Sequence, residues 1–254
     1  MKFLTYNILN GGEAGIQLIK AVIAKENPDY VTISEANTFA KSKSKLLKEI
    51  ASDLKYPYYE VALSGEYNYH VAVLSRLKFK KVLQIKPLMR AGIITIVDSP
   101  IGELSIISTH LTPYTEDLRL PEVDLIVKTQ KPYQNKILMG DMNSLSRYDG
   151  YKEEMIKSFN EMQLKKFTTA GRLRFDAVGK LELNGYNDTA LLFKKNKEYT
   201  VPTSLNEYQA HSNMRLDYIF VSKSLIENVK DYSVVKNNLT DKASDHYPVV
   251  VVLG

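Results

Sequence analysis

Hairpin-length spacing between β-rich runs constrains this chain more than any other feature of its sequence. Runs rich in β-branched and aromatic residues recur at Phe3–Ile8, Tyr30–Ser34, Tyr58–Leu63, His70–Ser75, Ile93–Val97, Leu104–Thr109, Lys136–Gly140, Leu216–Val221 and Tyr247–Leu253, a pattern that predicts strands. The connections from 58–63 to 70–75 and from 93–97 to 104–109 are short and contain Gly65 and Gly102. Such connections join antiparallel neighbours, whereas parallel ones need longer crossovers. Helical periodicity fills some of the gaps. Ile16, Ile19, Val22 and Ile23 share a face ahead of Pro28, and Leu46, Leu47, Ile50, Ala51 and Leu54 share another. Weaker helical patterns cover 114–130 and 148–162. Strands outnumber helices, so the sequence predicts an α/β fold with sheet packed on sheet and helices outside, not a doubly wound parallel sheet.

No Pro/Gly/Ser-rich linker or internal repeat divides the 254 residues, which read as one domain, 1–254. Cysteine is absent, which excludes disulfides, thiolate metal ligands and a cysteine nucleophile. With 34 Lys+Arg against 29 Asp+Glu, the formal charge of +5 suits a polyanionic partner without demanding one. No segment is long and apolar enough for a bilayer, and "MKFLTYNILNGG" does not read as a signal peptide. The expectation is a soluble, cytoplasmic monomer with no membrane partner.

Chemistry shows in what terminates the strands. "FLTYN" ends in Asn7, "YVTISE" in Glu35 and "LSIISTHL" near His110. "KILMGDMNS" carries Asp141 and Asn143, "RLDYIFVS" holds Asp217, and "ASDHYP" supplies Asp245 and His246. Taken singly, each has an ordinary structural explanation: a turn opener, a cap, a satisfied core histidine or an Asx-turn. Their joint occurrence at the ends of scattered strands is how a rigid scaffold positions reacting groups. The Asn, Asp and Glu members are hard oxygen donors, a set that suits Mg²⁺ or Mn²⁺ rather than structural zinc.

The stretches "TYN", "SEAN", "STHL", "GDMNS", "RLDYIF" and "SDHYPV" stand in the order and context of the endonuclease/exonuclease/phosphatase superfamily, and the chain resembles that family from Asn7 to His246. The family includes deoxyribonuclease I, apurinic endonucleases and tyrosyl-DNA phosphodiesterases. The resemblance implies a four-layer α/β sandwich of two mostly antiparallel sheets with outer helices, and metal-dependent phosphoester hydrolysis. It implies that Glu35 is the main ligand of Mg²⁺ or Mn²⁺, with Asn7 as a neutral oxygen donor and Asp245 completing the set. Asp141 then resembles the water-orienting carboxylate. Asn143 would hold a phosphate oxygen or the nucleophile, and His110 would stabilise the pentacovalent phosphorus. His246 would face the phosphate, held by Asp217. A carboxylate partner fixes the imidazole tautomer and raises its pKa. The sequence leaves acid, base and electrostatic roles open for His246.

Substrate class is less constrained. Apurinic endonucleases usually have Gly-Leu-Arg after the first Asn and Thr-Lys after the metal Glu, where this chain has "ILNGGEAG" and "AN". Its short motifs stand nearer the tyrosyl-DNA phosphodiesterase type. The expectation is a phosphodiesterase of nucleic acid or its ends. A hydrolase of small phosphoesters or lipid head groups, or a silent binding module, are the alternatives. Two basic clusters, Lys41, Lys43, Lys45 and Lys48, then Arg76, Lys78, Lys80 and Lys81, would track a polyanion only if they flank the cleft; charge runs are more often solvated faces. His70 is expected to pack or to border the cleft, and His211 has no assigned role.

Overall fold

Along the first strand, Phe3 belongs to one apolar cluster while its neighbours Leu4 and Tyr6 belong to another. That period-two alternation is what a strand buried on both faces requires, and it repeats across the protein. The computed structural model describes residues 1–205 and 212–254, and His211 lies outside the described residues.

The order begins β1 (Lys2–Asn7), a single turn α1 (Leu9–Gly12), α2 (Ile16–Glu26), β2 (Tyr30–Ser34), α3 (Lys41–Asp53), β3 (Tyr58–Ala62) and β4 (Val71–Ser75). It continues with β5 (Phe79–Gln84), β6 (Ala91–Ser99), β7 (Gly102–His110), α4 (Glu116–Gln130) and β8 (Lys136–Asp141). Then follow α5 (Glu161–Phe167), the short β9 (Thr168–Thr169) and β10 (Arg172–Leu173), α6 (Asp176–Leu183), β11 (Tyr186–Asp188) and α7 (Thr189–Leu192). β12 (Asp217–Ser222), β13 (Val229–Val234), α8 (Thr240–Ala243) and β14 (Val249–Leu253) complete it.

Two six-stranded sheets result, ordered β13-β14-β1-β2-β4-β3 and β11-β12-β8-β7-β6-β5. Pairing is antiparallel throughout both except β1 with β2 and β7 with β8. Both hairpins expected around Gly65 and Gly102 are present, as β3/β4 and β6/β7. The inner faces meet in a core of Phe3, Tyr30, Val71 and Val251 against Ile93, Ile106, Met139 and Ile219. Ile19, Ile23, Leu47 and Ile50 of α2 and α3 cover the outside of the first sheet, and Val123, Ile126, Val178 and Leu181 of α4 and α6 cover the second. This is the DNase I-like α/β sandwich, in four layers.

Several boundaries differ from the sequence reading. The stretch 148–162 is not one helix. It holds 3₁₀ turns at Arg147–Asp149 and Glu153–Ser158, broken at Gly150, which adopts φ +81°. Helix α5 starts later, at a capping box in which Asn160 and Gln163 satisfy each other's backbone N–H groups. Strand β14 begins at Val249, after Pro248, because proline has no N–H for the ladder. β5 and β13 escape the sequence pattern because each is an outer strand interrupted by lysine or aspartate, the usual protection of a sheet edge.

Gly140 lets β7 and β8 lie close together just before Asp141. It has φ +147°, and a Cβ there would come within 1.7 Å of the Thr109 carbonyl oxygen. Gly140→Ala should therefore destabilise the protein by at least about 3 kcal/mol, at the diagnostic end of single-substitution effects. Urea unfolding of the variant beside the parent measures it.

Candidate active site

Strand register builds the site. β7 and β8 place His110 opposite Asp141, and β8 and β12 place Asp141 opposite Asp217, in one row across the end of the second sheet. All three lie on the inward face, continuing the alternation of Ile106, Met139 and Ile219. The shared core thus turns from apolar to ionisable at one end, where the three residues remain buried.

From the facing sheet, Asn7 reaches across. Its Nδ2 donates to Asp141 Oδ2 at 3.0 Å and to Glu35 Oε1 at 3.3 Å, while its Oδ1 accepts from Leu9 N at 3.2 Å. As placed, Asn7 turns amide hydrogens toward the carboxylates, not the oxygen expected of a ligand. Glu35 directly follows β2, and strict alternation would send it outward after Ile33. Its left-handed backbone, φ +59°, breaks the alternation and brings the carboxylate to Asn7 and to Asn10 N, 2.8 Å away. Asn143 is left-handed too, at φ +50°, with its N–H donating to Asp141 Oδ1 (2.8 Å) and its Nδ2 to Leu111 O (2.9 Å). Non-glycine residues held at positive φ persist where the surroundings enforce them, and they concentrate at functional sites.

The segment before β14 completes the cluster. Ser244 Oγ donates to Asn7 O at 2.7 Å, tying this segment to β1. His246 Nδ1 lies 2.7 Å from Asp217 Oδ2, and its Nε2 lies 4.0 Å from Asp141 Oδ2. His110 Nε2 approaches the same Asp141 oxygen at 3.5 Å. The two imidazoles carry different charges. Burial drives the His110 pKa down to about 3 against the pull of Asp141, so its ring is neutral. Burial acts on His246 in the same direction, but the charges of Asp217, Asp245 and Asp141 outweigh it and push the value up to about 10. Burial pushes the Asp141 pKa up, but His110, His246, Lys166 and the Asn143 N–H together bring it down to about 2, ionised.

The carboxylates suggest where a cation fits. Asp141, Asp217 and His246 bring ligand atoms within 4.8 Å of one another, but a protonated ring has no lone pair left to give. Glu35 and Asp245 are the other carboxylates that could hold one. Burial and the Asp245 charge both raise the Glu35 pKa, and a hard divalent cation would relieve that repulsion.

Some groups near the cluster carry no sequence signal. Lys166, in the last turn of α5, is 6 % exposed. It lies within electrostatic reach of Asp141, Glu35 and Asp245. Its carbonyl accepts from Arg119 Nη2 at 2.6 Å, and Arg119 also donates to Thr112 O at 3.0 Å. Arg90 lies over the Tyr69 ring, 3.5 Å from its centre, with Nε and Nη1 buried and without a hydrogen-bond partner among the described residues. In "LKKF" and "LMRAG" these residues look like any solvated lysine or strand flank. Arg215, inside "RLDYIF", binds Asp149 and Asp188 at 2.6 Å each and anchors the start of β12 beside Asp217.

Register also sorts the basic clusters. Ser75 pairs with Tyr30 and Phe79 with Val97, at the end of the sheets away from Glu35 and His110, so Arg76, Lys78, Lys80 and Lys81 cannot flank the site. Lys80 is held there by Asp98 and Glu103. The lysines from Lys41 to Lys48 open α3, which begins shortly after Glu35 on the site's side. His70 is buried beside the site end, its Nδ1 accepting from Ser64 N at 3.1 Å and its carbonyl from Ala36 N at 2.9 Å.

Comparison with known proteins gives the same picture. The profile of the Endonuclease/Exonuclease/phosphatase family matches residues 4–246. No curated protein matches the sequence. An AP endonuclease from Archaeoglobus fulgidus superposes with a TM-score of 0.74 at 19% identity, over 100% of this chain and 99% of that one. A 3′ phosphatase from Neisseria, solved with product DNA hairpin, gives 0.71 at 17% identity over 100% and 99%. An endonuclease/exonuclease/phosphatase family protein from Leptotrichia buccalis gives 0.67 at 22% over the same shares. At these identities the likeness concerns the fold.

The Asp217–His246 pair has a stability signature. The folded chain holds the His246 proton up to about pH 10, whereas an unfolded histidine releases it near about 6.5. The pair's contribution is therefore fully present below about pH 6.5 and lost as pH rises toward 10. Asp217→Asn should lower unfolding free energy more at pH 6 than at pH 9.5. Equal losses at both pH values would contradict the charged pair.

Proposed function

Because the chain belongs to the endonuclease/exonuclease/phosphatase family, we propose that it is a Mg²⁺- or Mn²⁺-dependent phosphodiesterase acting on nucleic acid or its ends. The observation that carries this reading is the row His110–Asp141–Asp217, joined from the opposite sheet by Asn7 and closed by His246. The names of two neighbours, an AP endonuclease and a 3′ phosphatase with product DNA, support a nucleic-acid substrate.

Hydrolysis needs an oriented water, stabilised charge on the phosphoryl oxygens and a leaving group expelled in line. Glu35 and Asp245 would hold a divalent ion, which would supply Lewis acidity to the reaction. Asp141, kept ionised by its cationic neighbours, accepts a hydrogen bond from the attacking water and aims it. Asn7 and the Asn143 backbone hold that carboxylate still from two directions. His246, oriented by Asp217, faces the phosphoryl oxygens as a charged donor. His110, neutral, adds an uncharged donor beside Asp141.

Hydrolysis of a generic diester should require Mg²⁺ or Mn²⁺ and vanish in chelator, and Glu35→Gln should weaken metal binding in calorimetry without unfolding the protein. Full turnover after exhaustive metal removal would refute the metal reading. His246→Ala should lower kcat by about 10²–10⁴-fold, the usual scale for a residue assisting proton or charge transfer; near-parental turnover would remove it from the mechanism.

Substrate class has its own test, set by where the lysines lie. DNA affinity of the Asp141→Asn protein should fall steeply with salt, since each neutralised duplex phosphate releases about 0.9 counterion. Reversing charge at Lys43 and Lys45 should flatten that slope, while the same change at Lys78 and Lys81, at the far end, should not. A flat salt curve in the parent would return the substrate to small phosphoesters.

A further inference from the structure

Four carboxylates, Glu35, Asp141, Asp217 and Asp245, crowd this end of the sandwich against one imidazolium, His246. A phosphate approaching such a cluster meets repulsion unless cations balance it. Lys166 is such a cation, and it is the protein's own. Its side chain is buried, yet its ammonium forms no hydrogen bond or ion pair among the described residues. Its close neighbour is the face of Phe167, 5.0 Å away. The stem is packed away while the ammonium itself still reaches solvent, so its charge stays open to a ligand.

Its position is built, not incidental. Phe167 packs into the small core of Leu145, Phe159, Leu173 and Leu216, which fixes the last turn of α5. Arg119 grips the Lys166 carbonyl. Glu116 pairs with Arg119 at 3.5 Å and accepts from Ser144 Oγ and, at 2.9 Å, from Ala177 N. Helices α4, α5 and α6 and the loop after Asp141 thus converge to hold one lysine. From there the ammonium is in electrostatic reach of Asp141, Glu35 and Asp245, each from a different strand end, without touching any of them.

We propose that Lys166 is a further catalytic residue, its ammonium binding a non-bridging oxygen of the scissile phosphate opposite Glu35 and Asp245. The assignment rests on the phosphodiesterase reading above. It implies opposite effects on stability and on turnover when the charge is removed. Lys166→Met keeps the length and apolar stem, so it removes a charge that desolvation disfavours while deleting the phosphate contact.

The test compares the parent, Lys166→Met and Lys165→Met, the last altering an exposed neighbour on the same helix. Three quantities are measured: kcat/KM on bis(p-nitrophenyl) phosphate with Mg²⁺, binding of inorganic phosphate by calorimetry, and thermal midpoint in phosphate-free buffer. Lys166→Met should lower kcat/KM by about 10²-fold, as loss of one charge-stabilising donor does. It should weaken phosphate at least about tenfold, the loss of one charged contact, with a midpoint unchanged or higher, and Lys165→Met should match the parent. Unchanged kinetics and phosphate binding in Lys166→Met would overturn the proposal. So would a loss of rate accompanied by a lower midpoint, which would make the residue structural. If the parent hydrolyses no diester, the phosphodiesterase reading fails by itself, and calorimetry with phosphate still decides on Lys166.

Discussion

The hydrogen bond from Asn7 of the first sheet to Asp141 of the second, with that between His246 and Asp217, joins the two halves of the sandwich where their shared core becomes polar. Elsewhere the inner faces meet through apolar side chains. A few buried hydroxyl pairs interrupt them, such as Thr32 with Ser108 at 2.6 Å and Tyr30 with Thr95 at 2.9 Å. Buried polar groups are tolerable only when paired, so the polar end has to be organised as a network. Asn7 satisfies two carboxylates, Asp217 satisfies His246, and Asn143 closes on Asp141. The groups available for chemistry are the ones this network leaves directed outward from the core.

Much of this was legible in the sequence because strands have a fixed period. Residues that terminate inward-facing registers, such as His110, Asp141 and Asp217, announce themselves once the strands are recognised, and the hairpins followed from loop length. Charged edge strands were not legible, since lysines in β5 and aspartate in β13 hide the alternation that burial would otherwise impose. Nor was the fate of the basic clusters. Lys41–Lys48 and Arg76–Lys81 look alike as strings, and only strand direction puts one at the site's end and the other opposite it. Glu35 was recognisable by its motif, but its left-handed backbone has no sequence signature, because most glutamates avoid that region. Lys166 was the hardest to see: it depends on packing by four separate segments.

Electrostatics gives the site its division of labour. Two histidines share the same aspartate neighbour, yet one is neutral and the other charged, because only His246 has a second carboxylate against its other nitrogen. The same logic underlies the proposed cation seat at Glu35 and Asp245: the Asp217 carboxylate already faces His246.

The pairing of β1 with β14 brings together strands from opposite ends of the sequence, with Thr5 beside Val249 and the first amino group on the Leu253 carbonyl. During synthesis β1 can pair with β2 almost at once, but its other edge stays open until β14 emerges from the ribosome. Contacts so distant in sequence slow folding, because a long loop must close before they form. Until β14 is in place that edge of β1 has no partner, and an open edge is a site for mispairing. Asn7 and His246 enter the same cluster only when that edge closes, through the bond from Ser244 to the Asn7 carbonyl, so a chain cut short of this segment leaves the cluster incomplete.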